Sequence, residues 1–199
     1  FLTWARAFDV TYEDTSGEQQ YVHQTTYGMS ERLLGAIVAS HGDDRGLIMP
    51  PAVAPIQVIV IPILSKDGSE EVMSKAEEIV SELKSSGIRT KLDSRAIRPG
   101  QKYYDWEIKG VPLRIEIGPR DLANNAVMCA KRTGEKTSQS LDGLVDAVQN
   151  QLETIGDEMM SNSLEHFNSH LQNLPSFTVD GNNLQFSEPI QTNKVYEFA

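Results

Sequence analysis

A single run, residues 56–64 (IQVIVIPIL), limits the folds open to this chain more than any other stretch. It is almost wholly apolar and rich in β-branched side chains. Such a run suits a strand buried on both faces, as in α/β domains, rather than an alternating strand with one wet side. The residues that follow agree. Asp67 or Ser69 can cap a helix whose apolar stripe is Val72, Ala76, Ile79, Val80 and Leu83, and Gly87 closes it. Residues 88–92 read as a second short strand. Residues 56–92 therefore predict one βαβ unit with parallel strands and a right-handed crossover.

Residues 99–121 (PGQKYYDWEIKGVPLRIEIGPRD) add a short helix, a tight turn at Gly110 and a further strand. In that strand Leu113, Ile115 and Ile117 alternate with Arg114 and Glu116, which places the two charges on a wetter face. Gly118-Pro119 ends it, and Arg120-Asp121 forms a polar turn at its tip. Residues 126–131 (AVMCAK) make another strand and residues 133–136 a turn. From Ser140, the positions Leu141, Leu144, Val145, Val148, Leu152, Ile155 and Met159 mark a long amphipathic helix that covers the sheet. Beyond about residue 160 the pattern fades. Leu164, Phe167 and Leu171 can carry a helix toward Pro175, residues 180–183 form a turn, and residues 195–198 (VYEF) begin a strand.

Ahead of the α/β region, residues 6–13 and 20–27 are β-rich and flank a turn at residues 15–17, the pattern of an antiparallel hairpin. Gly28 interrupts it. Ser30 is a good N-cap for a helix with Leu33, Leu34, Ile37 and Val38 on one face. Residues 41–46 end that helix, residues 47–49 suit one more short strand, and Pro50, Pro51 and Pro55 make a stiff linker.

Composition narrows the function classes. The apolar fraction of 39 % supports a packed core, and no apolar run reaches the roughly 18 residues of a membrane-spanning helix. The N-terminal residues lack a signal-peptide pattern and do not begin with Met, so the expectation is a fragment of a cytoplasmic protein. Cys129 is the only cysteine, which excludes an internal disulfide; its apolar strand makes it a small core residue. The net charge of −10 opposes non-specific nucleic-acid binding. That charge is segregated, however. Residues 84–136 hold 12 of the 18 Lys and Arg and six of the 28 acids, so this segment carries +6 and the remainder −16. Such a stretch is either the footprint of an anionic ligand or a chance cluster, and charge alone does not separate the two.

Familiar catalytic strings are absent: there is no GxGxxG, GxxxxGK[ST], GxSxG or HExxH. His166 and His170 stand four apart and could hold a metal from one helix face, but no third ligand is near in sequence. Asp43-Asp44 beside Gly42 reads as a solvated turn rather than a cation site. No metal site is expected.

Two longer strings carry a resemblance. YGMSERLLGAIVASHGDDRGLIMPP, residues 27–51, resembles the third signature motif of class II aminoacyl-tRNA synthetases and the exit from their catalytic domain. PGQKYYDWEIKGVPLRIEIGPRDLANNAVMCAKRTGEK, residues 99–136, closely resembles the anticodon-binding domain of the prolyl-tRNA synthetase family, in its archaeal and eukaryotic type. The match extends with fading strength over residues 1 to about 165. The resemblance implies a mixed-sheet α/β anticodon-binding domain at residues 54–160. Before it, residues 1–53 would be the last hairpin and motif helix of a class II antiparallel catalytic sheet. Residues 161–199 would begin a C-terminal extension.

Site residues follow from the same resemblance. Arg32 falls on the family's motif arginine, which contacts the ATP triphosphate and stabilises charge on the leaving pyrophosphate. Arg32 is thus the implied catalytic residue. Tyr27, Gly28 and Ser30 would line the nucleotide site with it, Mg accompanying the ATP in the intact enzyme. Glu107, Arg114, Arg120, Asp121 and Lys136 fall on positions used for anticodon contact, with Arg132 and Lys102 weaker candidates for backbone phosphates. The chemistry agrees, because the family reads two adjacent guanines. Carboxylates suit the N1–H and N2–H₂ donors of guanine, and Arg or Lys its O6 and N7 acceptors.

The chain departs from the family pattern at both ends. The other two signature motifs and the proline-recognising loops would lie upstream of Phe1, and the cysteines of a C-terminal zinc module are absent, so zinc is possible only in a missing module. The reading is therefore part of a proline–tRNA ligase that mainly selects tRNA(Pro). The intact enzyme would use proline and ATP as a homodimer, and this portion alone would be inactive. The alternative is a stand-alone, non-catalytic RNA-binding module derived from such a domain.

Overall fold

The computed structural model describes residues 1–64, 69–181, 183–191 and 194–197. Asp67, one of the two candidate helix caps, lies outside them, as do Asn182 of the expected turn and Phe198 of the expected final strand. The chain divides into two compact units, Phe1–Ala36 and Ile37–Ala199.

The first unit holds α1 (Thr3–Ala7), β1 (Thr11–Glu13) and β2 (Gln19–Tyr21). The two strands pair antiparallel with Thr11 opposite Tyr21, as the hairpin pattern predicts. The hairpin is shorter than expected, because residues 3–7 are helical. Trp4 and Phe8, four apart, stack at 5.6 Å and favour that helical turn, while Ala5 between them is buried. The turn is fixed by Asp14, whose carboxylate accepts the Ser16 and Glu18 N–H groups and the Ser16 hydroxyl. α2 (Arg32–His41) then begins where Ser30 accepts the Arg32 N–H.

The second unit is built on β3 (Val58–Pro62), α3 (Ser69–Ser85), β4 (Thr90–Leu92), α4 (Pro99–Ile108), β5 (Leu113–Ile117), α5 (Pro119–Ala123), β6 (Ala126–Lys131), β7 (Lys136–Ser140) and α6 (Leu144–His170). After it come β8 (Leu171–Asn173), β9 (Phe177–Asp180), β10 (Asn183–Phe186) and β11 (Val195–Glu197). β9 pairs antiparallel with β10, and β8 parallel with β11. The main sheet has five strands in the order β4-β3-β5-β6-β7. β3 runs parallel to β4 and β5, whereas β6 and β7 are antiparallel. It is a mixed α/β sheet with β5 at its centre.

Every residue of β3 is buried, as the 56–64 run requires. Val58 and Val60 face a large core made by α3, α6 and the Leu113, Ile115 and Ile117 side of β5. Ile59 and Ile61 face a smaller core with Trp106 and Val111 under α4. Helices thus cover both faces, but α4 covers only part of its own. That uneven cover creates the cleft described below.

Four expectations are corrected. Arg120-Asp121 is not a turn but lies in α5: Pro119 is preset for a first helical position, and the Asp121 carboxylate accepts the Gly118 N–H at 2.9 Å. Residues 136–140 form an edge strand that their polar side chains do not announce. Residues 47–49 form no strand; the Leu47 and Met49 N–H groups instead donate to the carbonyls of Ile108 and Gly110. Glu116 is not on a wet face but buried, because α4 lays Tyr103 across it. Among the described residues no helix is long and apolar enough to cross a membrane.

Candidate nucleic-acid interface

Sheet register assembles the site. Ile59 stands opposite Arg114, Arg114 opposite Ala130, and Ala130 opposite Lys136, so one row crosses four strands on the α4 side. Ala130 is the small member of that row. The space above it opens a cleft of about 260 Å³, walled by Tyr103, Trp106 and Glu107 of α4 and by Arg45. Tyr103 and Glu107 are four apart on one helical face, which brings both to the same wall.

The charged floor is organised on Glu116. Its Oε1 accepts hydrogen bonds from Arg114 Nε at 2.8 Å and Lys136 Nζ at 3.1 Å, and its Oε2 accepts the Tyr103 hydroxyl at 3.0 Å. The Arg114 guanidinium lies 4.2 Å from the Tyr103 ring centroid. Burial alone would raise the Glu116 pKa, but the Arg114 and Lys136 donors outweigh it and hold the carboxyl below its ordinary value. The Tyr103 phenol is pushed well above its usual range by burial, and further by the adjacent Glu116 charge.

On the far wall, the Glu107 carboxylate is paired with Arg45 at 2.9 Å. Beneath them Arg132 is buried and bidentate on Asp43, at 2.6 and 3.1 Å, and its Nε also donates to the carbonyls of Leu47 and Glu107. The Arg132 hydrogen bonds hold the Asp43 carboxyl down at about 2. Lys102 is buried too, donating to the Asp93 carbonyl at 2.8 Å, and burial lowers its pKa. Neither Arg132 nor Lys102 is presented for phosphate contact, because each is already engaged inside the protein.

The sequence-predicted anticodon residues therefore divide. Glu107, Arg114 and Lys136 meet in one cleft. Arg120 and Asp121 sit on α5, outside its lining; Arg120 is exposed and, among the described residues, unpaired, while Asp121 caps the helix and is felt electrostatically at Tyr103. Tyr103, Arg45 and Ala130 also line the cleft, and buried Glu116 ties Tyr103, Arg114 and Lys136 together; none of the four was anticipated. The available signal was the four-residue spacing of Tyr103 and Glu107 in one predicted helix.

The residues assigned to the nucleotide lie at residues 27–32 and are all exposed. Among the described residues nothing lies within 4 Å of a Cβ built on Gly28, so no contact among them requires glycine there. The Arg32 guanidinium makes no hydrogen bond or ion pair among the described residues, leaving it available to a phosphate. Among the described residues there is no group of three or more His, Cys, Asp or Glu side chains that could hold a metal ion. The rings of His166 and His170 pack with centroids 4.5 Å apart. Cys129 is buried, with its thiol pushed up to about 11 by burial, as suits a core residue.

Comparison with known proteins bears on this geometry. Residues 57–151 match the family model described as an anticodon binding domain. The chain is 49 % identical over 170 residues to a proline–tRNA ligase from Thermococcus kodakarensis, covering 85 % of this chain and 35 % of the relative. It is 45 % identical over 187 residues to one from Methanocorpusculum labreanum, covering 94 % and 39 % respectively. Against one from Methanosarcina mazei the identity is 50 % over 153 residues, covering 76 % and 32 %. The chain thus spans about a third of the length of the curated relatives it matches. Residues 57–151 form a member of the anticodon-binding domain family, within a chain homologous to proline–tRNA ligases over most of its length.

Proposed function

We propose that this chain is the tRNA-selecting portion of a proline–tRNA ligase, and that the cleft between α4 and the β5–β7 surface reads the guanines of the proline anticodon. The observation that carries the reading is the convergence of Glu107, Arg114 and Lys136, from three separate elements, on one cleft. A carboxylate faces two cations across it, matching the donor and acceptor edges of guanine. Arg120 and Asp121 would extend the contact along α5.

In this reading residues 54–160 are the anticodon-binding domain. Residues 1–53 end a class II catalytic domain, with β1 and β2 its last hairpin, and residues 161–199 begin a further extension. In the intact cytoplasmic enzyme, a homodimer, ATP with Mg would activate proline before its transfer to tRNA(Pro). Arg32, beside Tyr27, Gly28 and Ser30, would hold the triphosphate, a fixed cation opposing the charge that builds on pyrophosphate.

The test is binding of the 199-residue chain to a proline tRNA anticodon stem-loop, against one with both guanines changed, at fixed salt. Each lost base contact should weaken binding by roughly 1–3 kcal/mol. Equal affinity would sink the base-reading assignment. A loop-selective chain whose upstream gene lacked the other two class II motifs would instead be the stand-alone RNA-binding module.

A further inference from the structure

The Glu116 carboxylate sits on the central strand, 6 % exposed, where an unpaired charge would be costly. It is fully engaged, and the way it is engaged is informative. It takes Arg114 through Nε rather than through the guanidinium fork. The Tyr103 ring supports the same guanidinium from one face, and the Tyr103 hydroxyl returns to the other Glu116 oxygen. The Nε bond and the ring together fix the plane of the guanidinium. Among the described residues its two terminal nitrogens have no hydrogen-bond partner, and Arg114 is one of the residues lining the cleft.

We propose that Glu116 is a positioning residue for base recognition, holding Arg114 by Nε so that its two terminal nitrogens are aimed at the O6 and N7 of a guanine. The proposal rests on the anticodon reading above. A free arginine has several rotatable bonds and loses their freedom on binding; one fixed beforehand in a plane loses much less. Bidentate pairing also demands that plane, because a single point of attraction does not distinguish guanine from adenine. Lys136, tied to the same carboxylate oxygen, is held at the cleft edge as a point charge.

The test is a double-mutant cycle in the full 199-residue chain, with Glu116→Gln and Arg114→Ala made singly and together. The readout is the ratio of affinities for a guanine-bearing and an adenine-substituted proline anticodon stem-loop. Glu116→Gln should reduce that ratio by about 5- to 150-fold. Adding Arg114→Ala should lower it no further, because both changes remove one contact. Additive effects overturn the proposal. So does equal weakening toward both loops, which is what a merely structural carboxylate would produce. Should Glu116→Gln fail to fold, Arg114→Lys keeps Glu116 and the charge but lacks the fork; an unchanged ratio in that variant overturns the proposal. The Arg114 Nε–H resonance of the RNA-free chain separates this inference from the reading beneath it. A slowly exchanging proton lost in Glu116→Gln or Glu116→Asp supports the positioning. A rapidly exchanging one overturns it alone, whereas a wild-type chain that binds both loops equally overturns the anticodon reading and this inference with it.

Discussion

With only 2 % of its side chain exposed, Arg132 is a buried charge that holds three parts of the chain together. It ties Asp43, the Leu47 carbonyl and the Glu107 carbonyl to the end of β6. Arg132→Ala would leave the Leu47 carbonyl without its donor and strip Asp43 of its bidentate partner, with Arg45 still reaching Asp43 and the Gly110 N–H still reaching the Glu107 carbonyl. We expect a loss of about 2–3 kcal/mol in urea denaturation, below the range for a fully buried pair because water can reach Asp43. Its partner predicts a pH effect. The folded Asp43 carboxyl lies at about 2, below its ordinary 3.8. Its contribution is therefore full above about pH 4 and is lost as the pH falls toward 2. Denaturation measured from pH 5 to pH 2 should decline less steeply in Asp43→Asn than in the wild type. Neither the burial of Arg132 nor that of Glu116 was legible in the sequence. Alternation tells which side of β5 carries Arg114 and Glu116, but not that Tyr103 closes over that side.

Elements were legible where one face is uniformly apolar. β3, α3 and α6 follow from periodicity, and the expected stripes are buried except that Leu141 lies ahead of α6 and, like Val145, is only partly buried. β7 escaped because its side chains are nearly all exposed and its place is set by backbone pairing with β6. α5 escaped because Gly-Pro announces a turn as readily as a helix start. The turn between α4 and β5 was legible through Gly110, and the structure adds a reason for it. Gly110 has a φ of +70°, and a Cβ there would meet the Leu47 carbonyl oxygen at 2.5 Å. Gly110→Ala should lower stability by more than about 1 kcal/mol, read as a reduced melting temperature. Ala130 invites the opposite kind of change. Ala130→Leu fills the cleft floor without altering a charge, and should weaken binding of the guanine-bearing stem-loop at least tenfold while the chain still melts cooperatively. Unaltered binding would place the bases elsewhere.

Across the whole molecule, the basic segment is less available than its composition suggests. Of its 12 cations, Arg89 donates to backbone carbonyls at residues 51–54, Arg95 pairs with Asp93 and Asp105, Lys131 pairs with Glu135 and Glu158, and Lys102 and Arg132 are buried. Five are thus committed internally, leaving at most seven for RNA. The logarithm of affinity should accordingly fall with the logarithm of salt no more steeply than about −5. A steeper slope would show that the internal pairs open on binding. The Arg45–Glu107 pair adds a kinetic consequence. Arg45 Nη1 occupies one oxygen of the Glu107 carboxylate, so on the proposed reading a base that takes both oxygens must evict a resident guanidinium. Association there is an exchange, and the evicted Arg45 stays tethered beside the vacated carboxylate at high effective concentration. A base offering both of its donors can hold its place against that competitor. On that reading a base offering a single donor should be displaced within the lifetime of an encounter, so selectivity at Glu107 would be expressed in how long a wrong loop stays rather than in how fast it arrives.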